Sequence, residues 1–150
     1  MGLKMITAMG LLHDIGKIGI PDSVINKPGE LTSEEYEIIK RHTLTGVSIL
    51  SKTEEMPRMT IGAHWHHEFY DGSGYSDGLS GDSIPEEVRI IAVADSYDAM
   101  PSSRSYRDVL PQAVVRAEIE KGKGTQFDPA FADIMLQMID EDKDYNMHGQ

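Results

Sequence analysis

His13-Asp14-Ile15-Gly16-Lys17 closes an apolar run in which Leu3, Ile6, Met9 and Leu12 recur at helical spacing, with Met5 one turn before Met9. The spacing predicts a helix that ends where a histidine, a carboxylate and, three residues further on, a lysine come together. A His-Asp pair occurs by chance in many chains, so its meaning depends on what accompanies it. The rest of the chain supplies more donors of the same kind.

A length of 150 residues suits one domain with a real core. Charged residues make up 26%, an ordinary globular share, and no apolar run has membrane-spanning length, so no membrane contact is expected. The chain has no cysteine. Disulfides are therefore excluded, a reducing, cytoplasmic location is expected, and a metal would be held by His, Asp and Glu. That donor set favours iron or manganese over a thiolate zinc site. The net charge of −11 repels nucleic acid backbones, which excludes duplex DNA and long RNA as natural partners. A small anion stays compatible where cations act locally.

Moving outward, Pro21, Pro28 and Gly29 mark turns around at most one short helix. Thr32 with Glu35 forms a capping box that opens a helix whose inward stripe reads Tyr36, Ile39, Thr43, Val47 and Leu50, with a bend near His42. Another helix is expected from Pro57 to His67, with either Met59 and Ala63 or Ile61 and Trp65 facing inward. Residues 68 to 85 form a Gly-rich loop whose tyrosines and phenylalanine argue against plain disorder. A helix after Pro85 places Val88, Ile91, Ala92, Asp95 and Asp98 near one face. A helix over 111–121 stops at Gly122, and one after Asp128-Pro129 is read with Phe131, Ile134, Met138 and Ile139 inward. Arg89 to Ala94 is the only strand candidate and reads better as helix, so the fold class is all-α. Residues 141–150 read as a frayed polar tail.

All but one of the six histidines lie between residues 13 and 67, each near an expected helix end or the loop. His66 and His67 are adjacent and reach one site only where a helix is ending. Asp14 and Asp95 add carboxylates; Asp95, flanked by Ala92, Val93 and Ala94, is read as a buried acid that needs a cation or a partner. His64 is read as a satisfied core or surface histidine and His148 as a tail residue. Asp98, Arg104 and Arg107 by themselves are compatible with surface roles.

Together these elements resemble the HD-GYP family of the HD phosphohydrolase superfamily. The residues that carry the resemblance are His13-Asp14-Ile15-Gly16-Lys17; Arg41-His42 with Gly46; His66-His67-Glu68 followed by Asp71-Gly72-Ser73-Gly74-Tyr75; Arg89-Ile90 through Met100; Arg104 with Tyr106-Arg107; and Gly124 to Pro129. The resemblance implies an HD-domain helical bundle over residues 1–140 with a long Gly-rich loop, holding two iron or manganese ions, or three where an upstream glutamate contributes. It implies hydrolysis of a cyclic dinucleotide, above all cyclic di-GMP, to the linear dinucleotide or GMP. The implied metal ligands are His13, Asp14, His42, His66, His67 and Asp95, with Asp14 bridging and catalytic. Lys17 is implied at the scissile phosphate, and Tyr75, Asp98, Arg104 and Arg107 at the substrate. The nucleophile implied is a hydroxide between two cations, which lower the pKa of bound water.

Two departures qualify the resemblance. Family sites take a further histidine, and in three-metal members a glutamate, from a helix preceding the dipeptide; none of the residues before His13 is His, Asp or Glu. The segment is thus expected to lack an upstream helix and to be an output domain of a larger signalling protein, with a homodimer as one way to complete the site. The signature tripeptide reads Gly74-Tyr75-Ser76, with serine in place of proline, which frees a backbone N–H and is expected to loosen the loop. The competing reading is a catalytically impaired domain that binds or senses the cyclic dinucleotide.

Overall fold

Thr32 and Glu35 cap each other: the Glu35 N–H donates to Thr32 Oγ1 at 3.2 Å and the Thr32 N–H to Glu35 Oε2 at 2.8 Å. They open one helix of an all-α chain whose computed structural model describes residues 3–54, 58–100 and 110–147. The α-helices are α1 (Leu3–Leu12), α2 (Asp22–Ile25), α3 (Ser33–Lys40), α4 (His42–Leu50), α5 (Met59–Trp65), α6 (Glu86–Ala99), α7 (Gln112–Gly122) and α8 (Pro129–Glu141), with 3-10 turns at Ile15–Gly19 and Gly81–Ser83. Among the described residues there is no sheet; Lys123 and Phe127 form an isolated bridge.

Two apolar clusters share α6. Met9, Leu50, Met59, Ala63 and Ile91 join α1, α4, α5 and α6. Val93, Tyr97, Val115, Ile119, Phe127, Ala132, Leu136 and Ile139 join α6, α7 and α8. Ile91 and Val93 are two residues apart, about 200° around a helix, so α6 presents one face to each cluster. Arg89 ties this helix to the start of α8, donating to Asp128 Oδ2 at 2.6 Å, while Asp128 Oδ1 accepts the Ala130 N–H at 2.8 Å.

The turn after α1 is pressed against the first turn of α4. A Cβ on Gly16 would stand 1.8 Å from the His42 carbonyl oxygen and 2.6 Å from the Gly46 nitrogen. Only a glycine admits that approach, and it is what brings the Asp14 end of α1 beside His42.

Several inward faces differ from those read in the sequence. The bend expected near His42 falls at Arg41, and the inward stripe continues only on the α4 side of it. The shorter α3 buries no residue and leaves Tyr36 47% exposed, whereas α4 buries His42, Thr43, Gly46 and Leu50. In α5 the interior is taken by Met59 and Ala63; Pro57 lies outside the described residues. In α8 the buried residues are Ala132, Leu136 and Ile139, and Ile134 and Met138 face solvent. The apolar residues of α8 occupy more than one face, so composition did not single out the stripe that meets α6 and α7. The segment read as a polar tail folds back as far as Met147. Tyr145 and Met147 pack on the second cluster, Tyr145 Oη donates to the Leu110 carbonyl at 2.9 Å, and the Asp142 carboxylate accepts the N–H groups of Asn146 and Met147 at 2.8 Å.

Gly16→Ala is expected to lower stability by at least about 1–3 kcal/mol, because its methyl would meet fixed backbone. Gly10→Ala, in α1 with nothing within 4 Å of the added methyl, is expected to raise stability by about 0.5–1 kcal/mol. Urea unfolding of the two variants checks the contrast.

Candidate metal centre

Asp14 lies where four elements end or meet. His13 and Asp14 follow α1, His42 begins α4, His66 and His67 follow α5, and Asp95 projects from the third turn of α6. Helix ends leave carbonyl oxygens without intrahelical partners. Three imidazoles use them. His13 Nδ1 contacts the Gly10 carbonyl, His42 Nδ1 the Ile39 carbonyl at 2.5 Å, and His66 Nδ1 the Gly62 and Ala63 carbonyls at 2.9 and 3.1 Å. A carbonyl only accepts, so each Nδ1 carries a proton, and wherever the ring is neutral its Nε2 keeps a lone pair.

Those lone pairs converge. His42 Nε2 and His66 Nε2 are 3.1 Å apart, and they stand 3.7 and 3.2 Å from Asp14 Oδ1. The other carboxylate oxygen, Oδ2, is 3.1 Å from His13 Nε2 and 3.2 Å from Lys17 Nζ, and Asp95 Oδ1 is 3.5 Å from the same His13 nitrogen. One donor atom from each of Asp14, His42, His66 and His67 fits within a 4.8 Å span. His13 Nε2 and Asp14 Oδ1 are buried and have no hydrogen-bond partner. Acceptors that face one another without a shared proton repel, and a cation between them removes the repulsion. The donor set therefore could hold a metal ion. Carbonyls behind the imidazoles are the usual outer support of such ligands.

The other expected site residues are placed unevenly. Asp95 sits beside His13, but its side chain is 51% exposed, so it is not the buried acid inferred from its alanine and valine neighbours. It lies one turn beyond Ile91, where the first cluster ends and a groove of about 300 Å³ opens between α1 and α6. Asp98, exposed one turn further on, lines that groove with His13, Gly10 and Thr7. Lys17 is partly exposed at the rim. The Tyr75 ring stacks on His67, with centroids 4.8 Å apart and planes at 19°. Arg104 and Arg107 lie outside the described residues, as does His148.

Glu68 had been quoted only as part of a motif, yet it organises the loop. It is 2% exposed, and its carboxylate accepts the backbone N–H groups of Asp77, Gly78 and Leu79 at 2.6, 3.1 and 2.9 Å. A glycine-rich turn presents consecutive N–H groups that need an acceptor, and an acid next to two histidines was the available signal. Ser76, expected to loosen the loop, has its own ties: its hydroxyl donates to the His64 carbonyl at 3.1 Å and lies 3.4 Å from Thr43 Oγ1. His64 and Trp65 both reach Asp77 Oδ2, at 3.3 and 2.8 Å.

Electrostatics divides the imidazoles of the metal-free protein. Burial, helped by His66 and His42, pushes His67 down to about 3, and burial also lowers His42. Burial opposes the charge on His13 as well, but Asp14 and Asp95 outweigh it and raise this imidazole to about 10. Burial opposes the charge on Asp14 too, yet His13, His66 and Lys17 hold its carboxyl far below the usual range; His13 chiefly lowers Asp95. In the metal-free protein, groups lowered by folding contribute stability that is lost as pH falls from 6.5 toward 3, while His13 contributes stability that is full below 6.5 and lost as pH rises toward 10. Thermal unfolding in chelator is thus expected to be most resistant near pH 6.5. Bound Mn²⁺ should flatten the alkaline decline, because a ligated His13 needs no proton; an unchanged alkaline slope with Mn²⁺ present would contradict this arrangement.

The HD-domain family profile matches residues 3–131. The cyclic di-GMP phosphodiesterase response regulator RpfG of Xanthomonas campestris is 44% identical over 138 residues, covering 90% of this chain and 36% of that protein. A cyclic di-GMP phosphodiesterase of Thermotoga maritima is 47% identical over 133 residues, covering 87% and 36%. The 3'3'-cGAMP-specific phosphodiesterase 2 of Vibrio cholerae is 40% identical over 139 residues, covering 91% and 27%. The chain therefore spans roughly a third of the length of these curated relatives. With its profile matched across nearly all of the residues that build the bundle and the centre, the chain belongs to the HD-domain family.

Proposed function

We propose that this segment is the HD-GYP output domain of a longer cytoplasmic signalling protein and hydrolyses a phosphodiester bond of a cyclic dinucleotide, cyclic di-GMP first, in a metal-dependent reaction. What supports this reading above all is the set of imidazole Nε2 atoms turned on the two oxygens of Asp14. On this reading Asp14, His42, His66 and His67 would hold one divalent cation, and His13 and Asp95 would contribute with Asp14 to a second. The hard-to-borderline donors favour iron or manganese. When bound, such cations supply Lewis acidity, which makes water nucleophilic at neutral pH and offsets charge on phosphoryl oxygens.

The chain's own groups do the rest. Lys17 Nζ, 3.2 Å from Asp14 Oδ2 and partly open to solvent, is poised to donate to a non-bridging oxygen of the scissile phosphate, where charge grows during displacement. Tyr75, Asp98, Arg104 and Arg107 are assigned to the substrate; arginine forks suit a second phosphate or the Hoogsteen edge of guanine. These local cations offset the net charge of −11 that would otherwise repel a dianionic ligand. Relatives named for cyclic di-GMP and for 3'3'-cGAMP are both similar to this chain, so both are the substrates to test.

Protein loaded anaerobically with Fe²⁺ or Mn²⁺ is expected to convert cyclic di-GMP to the linear dinucleotide, as followed by chromatography. Lys17→Met should lower kcat by about 10²-fold, the size expected for loss of one donor to the developing charge. Asp14→Asn should abolish both metal retention and turnover. Metal-loaded protein that leaves both cyclic dinucleotides intact would overturn the proposal.

A further inference from the structure

Three of the imidazoles around Asp14 are aimed by hydrogen bonds to carbonyls, and the fourth is not. Among the described residues no hydrogen bond reaches the His67 ring. Its surroundings are three other rings: His66 with centroids 4.2 Å away at 46°, His42 at 5.0 Å and 86°, and Tyr75 at 4.8 Å and 19°. Of these, Tyr75 alone is not itself a candidate donor. An imidazole without a hydrogen bond turns about its Cβ–Cγ bond until packing stops it, so the near-parallel Tyr75 ring is what defines the plane of His67.

Tyr75 is itself held firmly enough for this task. Its N–H donates to the His67 carbonyl at 3.1 Å, so ring and backbone grip the same residue. Gly74 brings it there. A Cβ on Gly74 would stand 2.3 Å from the His67 oxygen and 2.4 Å from the Phe69 nitrogen, and any side chain would lift the loop away. Tyr36 meets the Tyr75 ring edge-on at 6.3 Å, and Lys40 Nζ lies 5.9 Å from its centroid. On the far side of the tyrosine, Glu68 clamps the loop at Asp77, Gly78 and Leu79.

We infer that Tyr75 is the positioning residue for His67: its stacked ring holds the imidazole in the plane from which it offers a nitrogen to a divalent cation. The Gly-rich loop thereby becomes part of the support of the metal centre. This deepens the metal-binding half of the reading above and is independent of which phosphodiester is cleaved. It differs from a substrate contact, because the effect is present before any nucleotide binds. The ring is required and the hydroxyl is not.

The test is Mn²⁺ affinity of the intact chain, measured against a competing chromogenic chelator. Tyr75→Phe should bind within about twofold of the parent, and Tyr75→Leu about tenfold more weakly, the usual scale for loss of a ligand's outer support. In a His67→Ala background, Tyr75→Leu should cost nothing further, which separates positioning from a general loss of stability. Parental affinity in Tyr75→Leu, or an equal loss in both backgrounds, would overturn the assignment. A second readout needs neither metal nor a variant that folds poorly. In the metal-free parent, the His67 ring protons should be shifted upfield by the stacked tyrosine; an unshifted ring overturns the inference. Both measurements are made without substrate, so a chain that hydrolyses no cyclic dinucleotide counts against the reaction alone.

Discussion

The centre depends on hydrogen bonds between imidazole Nδ1–H groups and the carbonyls of the last helical turns. His13, His42 and His66 each satisfy such a carbonyl within one turn. A single contact thus fixes the ring orientation and puts a proton on Nδ1. Three such contacts on three helices turn three Nε2 atoms toward one carboxylate, an arrangement that a cation would stabilise. Rigid helix ends set the positions of these side chains, which inherit their precision.

Convergence also requires the helix ends to approach closely. The turn after α1 lies so near the start of α4 that a methyl on Gly16 would overlap the His42 carbonyl. The two apolar clusters then hold the remaining pieces, because α6 packs on both and carries Asp95 at the edge of the first. Core and centre are therefore one construction. The residues that bury apolar surface in α1, α5 and α6 also decide how far apart His13, His66 and Asp95 stand.

The Gly-rich loop follows the same economy. Glu68, next in the chain to two imidazoles, turns inward to take three consecutive N–H groups of the loop. Its neighbour His67 faces the cluster, and Tyr75 returns to lie on His67. Side chains on successive residues thus serve the cation site and the loop in turn, which links the conformation of one to the other.

The sequence by itself determined the all-α class, the capping box at Thr32 and the helix ends at which the histidines fall. These are local matters, set by periodicity, capping chemistry and residue type, and so they can be read along the chain. Tertiary packing decided what depends on which faces meet. It left Asp95 half exposed where its neighbours suggested burial, left Tyr36 at the surface of α3, turned Ile134 and Met138 to solvent, and folded Tyr145 and Met147 onto the second cluster. It also assigned Glu68 and Tyr75 to supporting the centre. Those roles arise from contacts between residues eight to eleven positions apart in a loop with no periodicity, where chain proximity says nothing about which groups will touch.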